Sequence, residues 1–209
     1  ASFFALCDGN TAIPFAAAQD HKAVYDGDKG PNTGGMGAYS PAPVMTPDMQ
    51  EQVMCKIVLP TVKAMRDAGT PFTGILFAGL MITAKGPRLI EYNVRFGDPE
   101  TQAMLPRLKS DLLAVLFAVS KGMADGITLQ WHDRAALCVV MAAKGYPATY
   151  KKGSVIRGLD RAALVPDSIV FHAGTDKDAD GNIIASGGRV LGVTAWATGI
   201  AAAQTVAYQ

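Results

Sequence analysis

Residues 89–101 read LIEYNVRFGDPET, the most informative stretch of the chain. The run up to Phe96 has the composition of a β-strand, in which successive side chains alternate between two faces. Glu91, Asn93 and Arg95 therefore project to one side and present a carboxylate, an amide oxygen and a guanidinium in a row. Magnesium prefers hard oxygen ligands, and arginine can hold a phosphate through two hydrogen bonds. The row suits a nucleoside triphosphate with its metal ion, although any solvated strand face can carry such residues.

The four residues Gly97, Asp98, Pro99 and Glu100 strengthen the metal interpretation. Glycine and proline interrupt a strand, so the chain is expected to turn just after the row. Two further carboxylates then stand at the end of the strand, where the chemistry would take place.

The segments upstream read as alternating strands and helices. Residues 8–10 (DGN) separate two apolar runs and predict a hairpin. Thr46-Pro47-Asp48 has the hydroxyl cap, early proline and early acid of a helix start, and Gly69 is expected to end that helix. Two strands are predicted at 74–83 and 88–96. A helix capped by Ser110-Asp111 is expected to run to about Lys121, with a buried side formed by Leu112, Leu113, Leu116 and Phe117.

Residues 19–43 hold clustered Gly, Asp and Lys without a sustained periodicity, so the sequence predicts a long functional loop. Four glycines between Gly30 and Gly37 allow backbone N–H groups to approach an anion closely. The composition alone favours a flexible surface turn over a binding loop.

The character of the sequence changes after Gly122. Short β-like runs follow at 136–143, 154–157, 168–173 and 189–197, and a terminal helix is expected near Gly199. We place a domain boundary near residue 128, which divides the chain into 1–128 and 129–209.

The composition excludes several classes of partner. Hydrophobic residues make up 49% of the 209 positions, charged residues 18%, and the net charge is +1. This balance gives no reason to expect nucleic acid as a partner, and no apolar stretch is long enough to span a membrane. Cys7, Cys55 and Cys138 show no metal-ligand spacing, so they are expected to be reduced core thiols of a cytoplasmic protein.

Three blocks of the chain resemble one enzyme family. Residues 95–100 (RFGDPE) read like the signature hexapeptide of phosphoribosylamine–glycine ligases, and 89–93 resemble the metal-binding strand of ATP-grasp enzymes. Residues 19–22 (QDHK) with 30–41 (GPNTGGMGAYSP) form a second similar block, and 187–191 (GGRVL) form a third. The blocks stand in family order, so the chain is similar to the second half of a family member.

The resemblance implies both a fold and an activity. The fold would be α+β: the larger subdomain of an ATP-grasp domain, with an antiparallel sheet and helices, followed by a small β-rich C-terminal domain. The activity would be ATP-dependent ligation of glycine to 5-phosphoribosylamine in purine biosynthesis, through a glycyl phosphate. ATP with magnesium or manganese would be required, and the N-terminal part of the same enzyme would be the missing partner.

The resemblance also implies roles for ten residues. Glu91 and Asn93 would bind the metal, Arg95 would lie near the transferred phosphate, and Asp98 would face the substrates. Arg189 would hold the ribose 5-phosphate, although it could equally be a surface residue on a turn. The full set expected to bind ATP or substrate phosphates is His21, Lys22, Asn32, Gly34, Gly35 and Arg189.

Two departures from the family pattern stand out. Ala23 follows His21-Lys22 where the family often has a basic residue, and residues 77–81 lack the acid that many ATP-grasp enzymes carry before the metal strand. Two rival interpretations stay open: another ATP-grasp carboxylate–amine ligase, or a non-catalytic nucleotide-binding module. Both ends of the chain look cut, so this half is expected to be inactive alone.

Overall fold

The computed structural model describes residues 1–209, and it confirms the predicted α+β class. Most of the strands are antiparallel to their neighbours. The strands are β1 (Ser2–Asp8), β2 (Ala12–Tyr25), β3 (Lys29–Ser40), β4 (Thr73–Thr83), β5 (Gly86–Asn93), β6 (Ala135–Ala142), β7 (Ser154–Val155), β8 (Ser168–His172), β9 (Thr175–Lys177), β10 (Ile183–Ala185) and β11 (Arg189–Ala197).

The helices are short, and none of them is long and apolar enough to cross a membrane. They are α1 (Pro47–Val53), α2 (Leu59–Asp67), α3 (Glu100–Met104), α4 (Leu112–Ser120), α5 (Leu159–Ala162) and α6 (Ile200–Ala207). A π-helical turn, Met54–Val58, joins α1 to α2.

The chain folds into two compact units that are interleaved along the sequence. The first unit contains Ala1–Gln19, Ser40–Gly97 and Arg107–Asp133. The second contains Asp20–Tyr39, Asp98–Pro106 and Arg134–Gln209. The boundary near residue 128 between two sequence domains stays a prediction, because compact units and sequence domains are different divisions of a chain.

The core of the first unit is built around β1, whose seven residues are all buried. This strand lies between β4 and β2 in the order β5-β4-β1-β2. The β1–β2 pairing confirms the predicted hairpin, and the Asp8 carboxylate accepts hydrogen bonds from the N–H groups of Asn10 and Thr11 in its turn. Phe4 packs on Phe77 with 4.5 Å between ring centroids, on the face of the sheet opposite to α1 and α2.

The helix predicted to start at Thr46 is confirmed. The Thr46 hydroxyl accepts a hydrogen bond from the N–H of Met49 at 3.2 Å, and Pro47 occupies the first turn. The helical segment ends at Gly69, which has a φ of +75°, a conformation that glycine adopts without strain. Its apolar side covers β1 and β4 in one core that includes Val53, Val58 and Leu80.

The predicted buried side of α4 is wrong in part. Asp111 caps this helix as expected, accepting hydrogen bonds from the N–H groups of Leu113 and Ala114. However, the buried residues are Val115 and Val119, whereas Leu113 and Phe117 are exposed. Eight of the nine helical residues are apolar, so their pattern does not select one face.

The second unit corrects the prediction of a loop at 19–43. Most of that segment belongs to β2 and β3, which are connected by a short turn. In the sheet of this unit, β3, β6, β11 and β8 are successive neighbours, and β7, β10 and β9 form a separate small sheet. The strands β9 and β10 and the helix α3 were not predicted. A side chain at Gly37 would approach the carbonyl oxygen of Cys138 to 2.8 Å, so this glycine allows β3 to pack closely on β6.

Candidate functional site

The strand β5 carries the predicted metal ligands on one face. Glu91 pairs with Gly79 of β4 and Asn93 pairs with Phe77, so their side chains project in the same direction. The amide nitrogen of Asn93 lies 3.5 Å from Oε1 of Glu91. A Cβ at Gly79 would lie only 3.2 Å from Cγ of Glu91, so the glycine leaves room for the glutamate side chain.

Arg95 does not lie on the strand, because β5 ends at Asn93. This corrects the prediction that strand alternation would align all three side chains. Arg95 is instead linked to the row by a hydrogen bond: its Nη2 donates to Oδ1 of Asn93 at 3.3 Å, while its Nη1 donates to the carbonyl of Phe96 at 2.7 Å. The Phe96 ring anchors this turn by packing against Phe4 and Phe15.

The structure contains no group of three or more His, Cys, Asp or Glu side chains that could hold a metal ion alone. A metal at Glu91 and Asn93 would therefore take its remaining ligands from phosphates and water. This is the usual arrangement for magnesium, which keeps several waters and binds one or two protein groups. The donor set, one carboxylate and one amide oxygen, fits that ion.

In the second unit, Asp98 and Arg189 form an ion pair. Nη2 of Arg189 lies 3.1 Å from Oδ2 of Asp98, and Nη1 donates to the backbone carbonyl of the same aspartate at 2.8 Å. Arg189 is the first residue of β11, and Asp98 directly precedes Pro99 and the helix α3. The two residues are 91 positions apart in sequence, so only the fold brings them together.

The glycine-rich strand β3 joins this pair. Nη1 of Arg189 donates to the carbonyl of Gly34 at 2.9 Å and reaches that of Gly35 at 3.4 Å. The N–H of Gly34 donates to the hydroxyl of Tyr146 at 3.2 Å. We call Gly34, Gly35, Asp98 and Arg189 the arginine cluster. These four predicted site residues are therefore neighbours in the structure.

The other predicted phosphate-binding residues lie on β2 and β3. The His21 ring packs beside Tyr39 with 5.6 Å between centroids and lines a cleft of about 460 Å³ next to α6. Nζ of Lys22 lies 3.8 Å from the carboxylate of Asp20, and Asn32 is exposed on β3. Their role in phosphate binding stays a prediction.

Sequence reasoning missed two residues at the arginine cluster. Gln102 donates from Nε2 to Oδ1 of Asp98 at 2.8 Å, and its own Oε1 is buried without a hydrogen-bond partner. The spacing of four residues at a helix start could have revealed this contact. Tyr146, which binds Gly34, carries no local signal because it is 112 positions away.

The cysteines are only partly as predicted. Burial, reinforced by the charge of Asp8, raises the pKa of Cys7 to about 12. Burial also raises the pKa of Cys138 to about 11, with the nearby Asp98 acting in the same direction and Thr194 and Arg189 opposing it. Both thiols therefore stay protonated at neutral pH. Cys55 is exposed, which corrects its assignment to the core.

Two family models match the chain. The model described as "Phosphoribosylglycinamide synthetase, ATP-grasp (A) domain" matches residues 1–101, and the model described as "Phosphoribosylglycinamide synthetase, C domain" matches residues 136–209. These matches and the antiparallel sheet confirm the predicted architecture: an ATP-grasp domain followed by a small β-rich domain.

Similar proteins show which family of ATP-grasp proteins the chain resembles. The chain is 59% identical over 209 residues to phosphoribosylamine–glycine ligase of Brucella melitensis, covering 100% of this chain and 49% of the relative. It is 61% identical to the corresponding protein of Mesorhizobium japonicum, covering 100% and 48%. The crystal structure of the Thermotoga maritima ligase aligns with a TM-score of 0.80 and 31% identity, covering 99% of this chain and 50% of that one.

The chain belongs to the phosphoribosylamine–glycine ligase family. It spans about half the length of the curated relatives that it matches.

Proposed function

We propose that the protein, at the full length of its relatives, ligates glycine to 5-phosphoribosylamine and converts ATP to ADP and phosphate. The product would be glycinamide ribonucleotide, an intermediate of purine biosynthesis. The observation that supports this most is the 59% identity, over every residue of the chain, to a relative with that name. The geometry agrees, because Arg95 of the RFGDPE motif is hydrogen-bonded to Asn93 in the first unit, and Asp98 of the motif is paired with the half-buried Arg189 in the second.

Glu91 and Asn93 are the proposed ligands of magnesium or manganese on the ATP phosphates. A metal ion held there would neutralise part of the phosphate charge. The exposed guanidinium of Arg95, hydrogen-bonded to Asn93, is suited to bind the phosphoryl group that is transferred.

The proposed reaction has two steps. A glycine carboxylate oxygen attacks the γ-phosphorus of ATP, the bond to the β-phosphate oxygen breaks, and glycyl phosphate and ADP are formed. The amine nitrogen of phosphoribosylamine then attacks the glycyl carbonyl carbon, phosphate leaves, and the nitrogen loses a proton. Asp98 is the proposed substrate-facing carboxylate, since its side chain is 51% exposed while Arg189 and Gln102 hold its oxygens.

Release of ADP by the full-length protein tests the proposal. We expect continued ADP release over many turnovers only when glycine and 5-phosphoribosylamine are both present, and none when acetate replaces glycine. Dependence on a different carboxylate would indicate another ATP-grasp ligase. Nucleotide binding without turnover would indicate a non-catalytic module.

The 209-residue chain is the matched control for that assay. We expect no glycine-dependent ADP release from it, because the relatives contain about as many residues again. A location in the cytoplasm stays a prediction.

A further inference from the structure

Arg189 makes several hydrogen bonds within the protein. Nη1 has two hydrogens, and it faces the carbonyl oxygens of Gly34 at 2.9 Å, Asp98 at 2.8 Å and Gly35 at 3.4 Å. Nη2 faces the Asp98 carboxylate at 3.1 Å. Nη1 and Nη2 therefore both donate hydrogen bonds to backbone or carboxylate oxygens of the protein.

The Arg189 side chain is packed against neighbouring backbone. Its side chain is 23% exposed. A Cβ at Gly34 would lie 3.1 Å from Cζ of Arg189, which means that the guanidinium rests directly on the glycine backbone. A lysine ammonium is a single point of charge and cannot reproduce the planar arrangement that serves all of these acceptors.

Gln102 completes the restraint on Asp98. Its Nε2 binds Oδ1 at 2.8 Å, while Arg189 binds Oδ2, so the two oxygens of the carboxylate are held from two sides. Gln102 lies in α3 and Arg189 in β11, so the restraint combines a local contact with a distant one.

We infer that Arg189 and Gln102 are positioning residues that fix the Asp98 carboxylate and the Gly34–Gly35 backbone for catalysis. This inference rests on the proposed function and assigns Arg189 a different main role from anchoring the ribose 5-phosphate. A positioning residue acts through the orientation of another group, so its loss lowers kcat. Loss of a substrate anchor raises the KM of the substrate that it binds.

The test compares Arg189→Ala, Arg189→Lys and Gln102→Met in the full-length protein. Loss of a hydrogen bond to a charged group lowers the rate by about 10- to 150-fold. We expect kcat to fall within this range in both arginine variants and about 10-fold in Gln102→Met. The KM for phosphoribosylamine should change by less than about threefold. Arg161→Ala, which removes an exposed arginine of the same unit, should behave as the unsubstituted protein.

Two results would overturn the inference. The first is a rise in the KM for phosphoribosylamine with kcat preserved and with Arg189→Lys restoring affinity, since a phosphate anchor tolerates another cation. The second is unchanged kinetics in all three variants. If Arg189→Ala does not fold, Gln102→Met decides: a fall in kcat supports the inference and normal kcat refutes it.

Amide hydrogen exchange gives a readout that is independent of turnover. Exchange in residues 33–36 and 98–102 should be faster in Arg189→Lys than in Arg161→Ala. Equal exchange in the two variants would refute the restraint even if the unsubstituted protein proved inactive. Absence of activity in the unsubstituted protein would count against the proposed function alone.

Discussion

The β5 row and the arginine cluster are organised in different ways. In the row, Asn93 links Glu91 to Arg95 through contacts of 3.3–3.5 Å between residues two positions apart, and both outer side chains are exposed. In the cluster, contacts of 2.8–3.1 Å join Arg189 to segments that are 91 and 155 positions away. The polar groups of the row are therefore suited to bind a ligand. The polar groups of the arginine cluster already bond to one another within the folded chain.

The largest effect is expected from Glu91→Gln in the full-length protein. If the row depends on a metal ligand, loss of the carboxylate charge should lower activity at least about 100-fold, on the order of 3 kcal/mol in the transition state. The thermal stability of the variant should stay unchanged because Glu91 is exposed. Steady-state ADP release and a melting curve provide the two measurements.

Glu51→Gln, at an exposed position of α1, is the matched control and should keep full activity. Near-normal turnover of Glu91→Gln at saturating magnesium would remove this residue from the metal site.

A second substitution tests whether the cluster is held by the fold. Gly35 has a φ of +115°, and a Cβ there would lie 2.6 Å from Cδ of Pro99. Gly35→Ala should therefore lower the free energy of unfolding by about 2 kcal/mol or more, without any ligand present. Urea denaturation of the 209-residue chain measures this difference.

Gly126→Ala is the control, because a Cβ at that glycine meets no atom within 4 Å. Equal stabilities of the two variants would mean that β3 adjusts easily, and the contrast with the row would disappear.

A third substitution measures how much a buried, hydrogen-bonded carboxylate contributes to the free energy of unfolding. The carboxylate is that of Asp8, for which no ligand is proposed. Burial opposes ionisation of Asp8, but hydrogen bonds from the N–H groups of Thr11, Asn10 and Ala124 outweigh it and lower the pKa. A lowered pKa stabilises the folded state above the unfolded pKa of about 3.9, and this contribution is lost as the pH falls through the folded pKa.

Asp8→Ala should therefore lower the free energy of unfolding by up to about 2 kcal/mol at pH 7. The difference from the unsubstituted chain should shrink as the pH falls below about 4. Denaturation curves between pH 7 and pH 2 provide the measurement, with Asp26→Ala at the exposed β2–β3 turn as control. A difference that stays constant over this range would show that the ionised carboxylate is not the source of the stability.

Local signals predicted most of the first unit. The turn at Asp8-Gly9-Asn10, the Thr46 cap and the Asp111 cap all act over a few residues, so sequence alone identifies them. The glycine-rich β2–β3 segment was mistaken for a loop because its glycines are explained only by a distant partner, as Gly37 against Cys138 shows. The face of α4 was mistaken because an almost wholly apolar helix has no polar side to mark it.

In the candidate site, too, the sequence predicted the local arrangement but not the contacts between distant residues. The alternation along β5 placed Glu91 and Asn93 together, and the structure has them 3.5 Å apart through Nδ2 and Oε1. It did not place Arg95, because the strand ends two residues earlier. The resemblance named Asp98 and Arg189 separately, but their pairing depends on where β11 begins and was not predictable from spacing.

The interleaving of the two compact units constrains how recombination can alter such a protein during evolution. The chain enters the second unit at Asp20, leaves it after Tyr39, and returns twice more before its last residue. No single crossover point within the gene would exchange one unit for a homologous one, since every junction inside the sequence leaves strands of both units on the same side. Recombination at a position between Asp20 and Asp133 would therefore produce chimaeras in both units at once, and the two are expected to be inherited together.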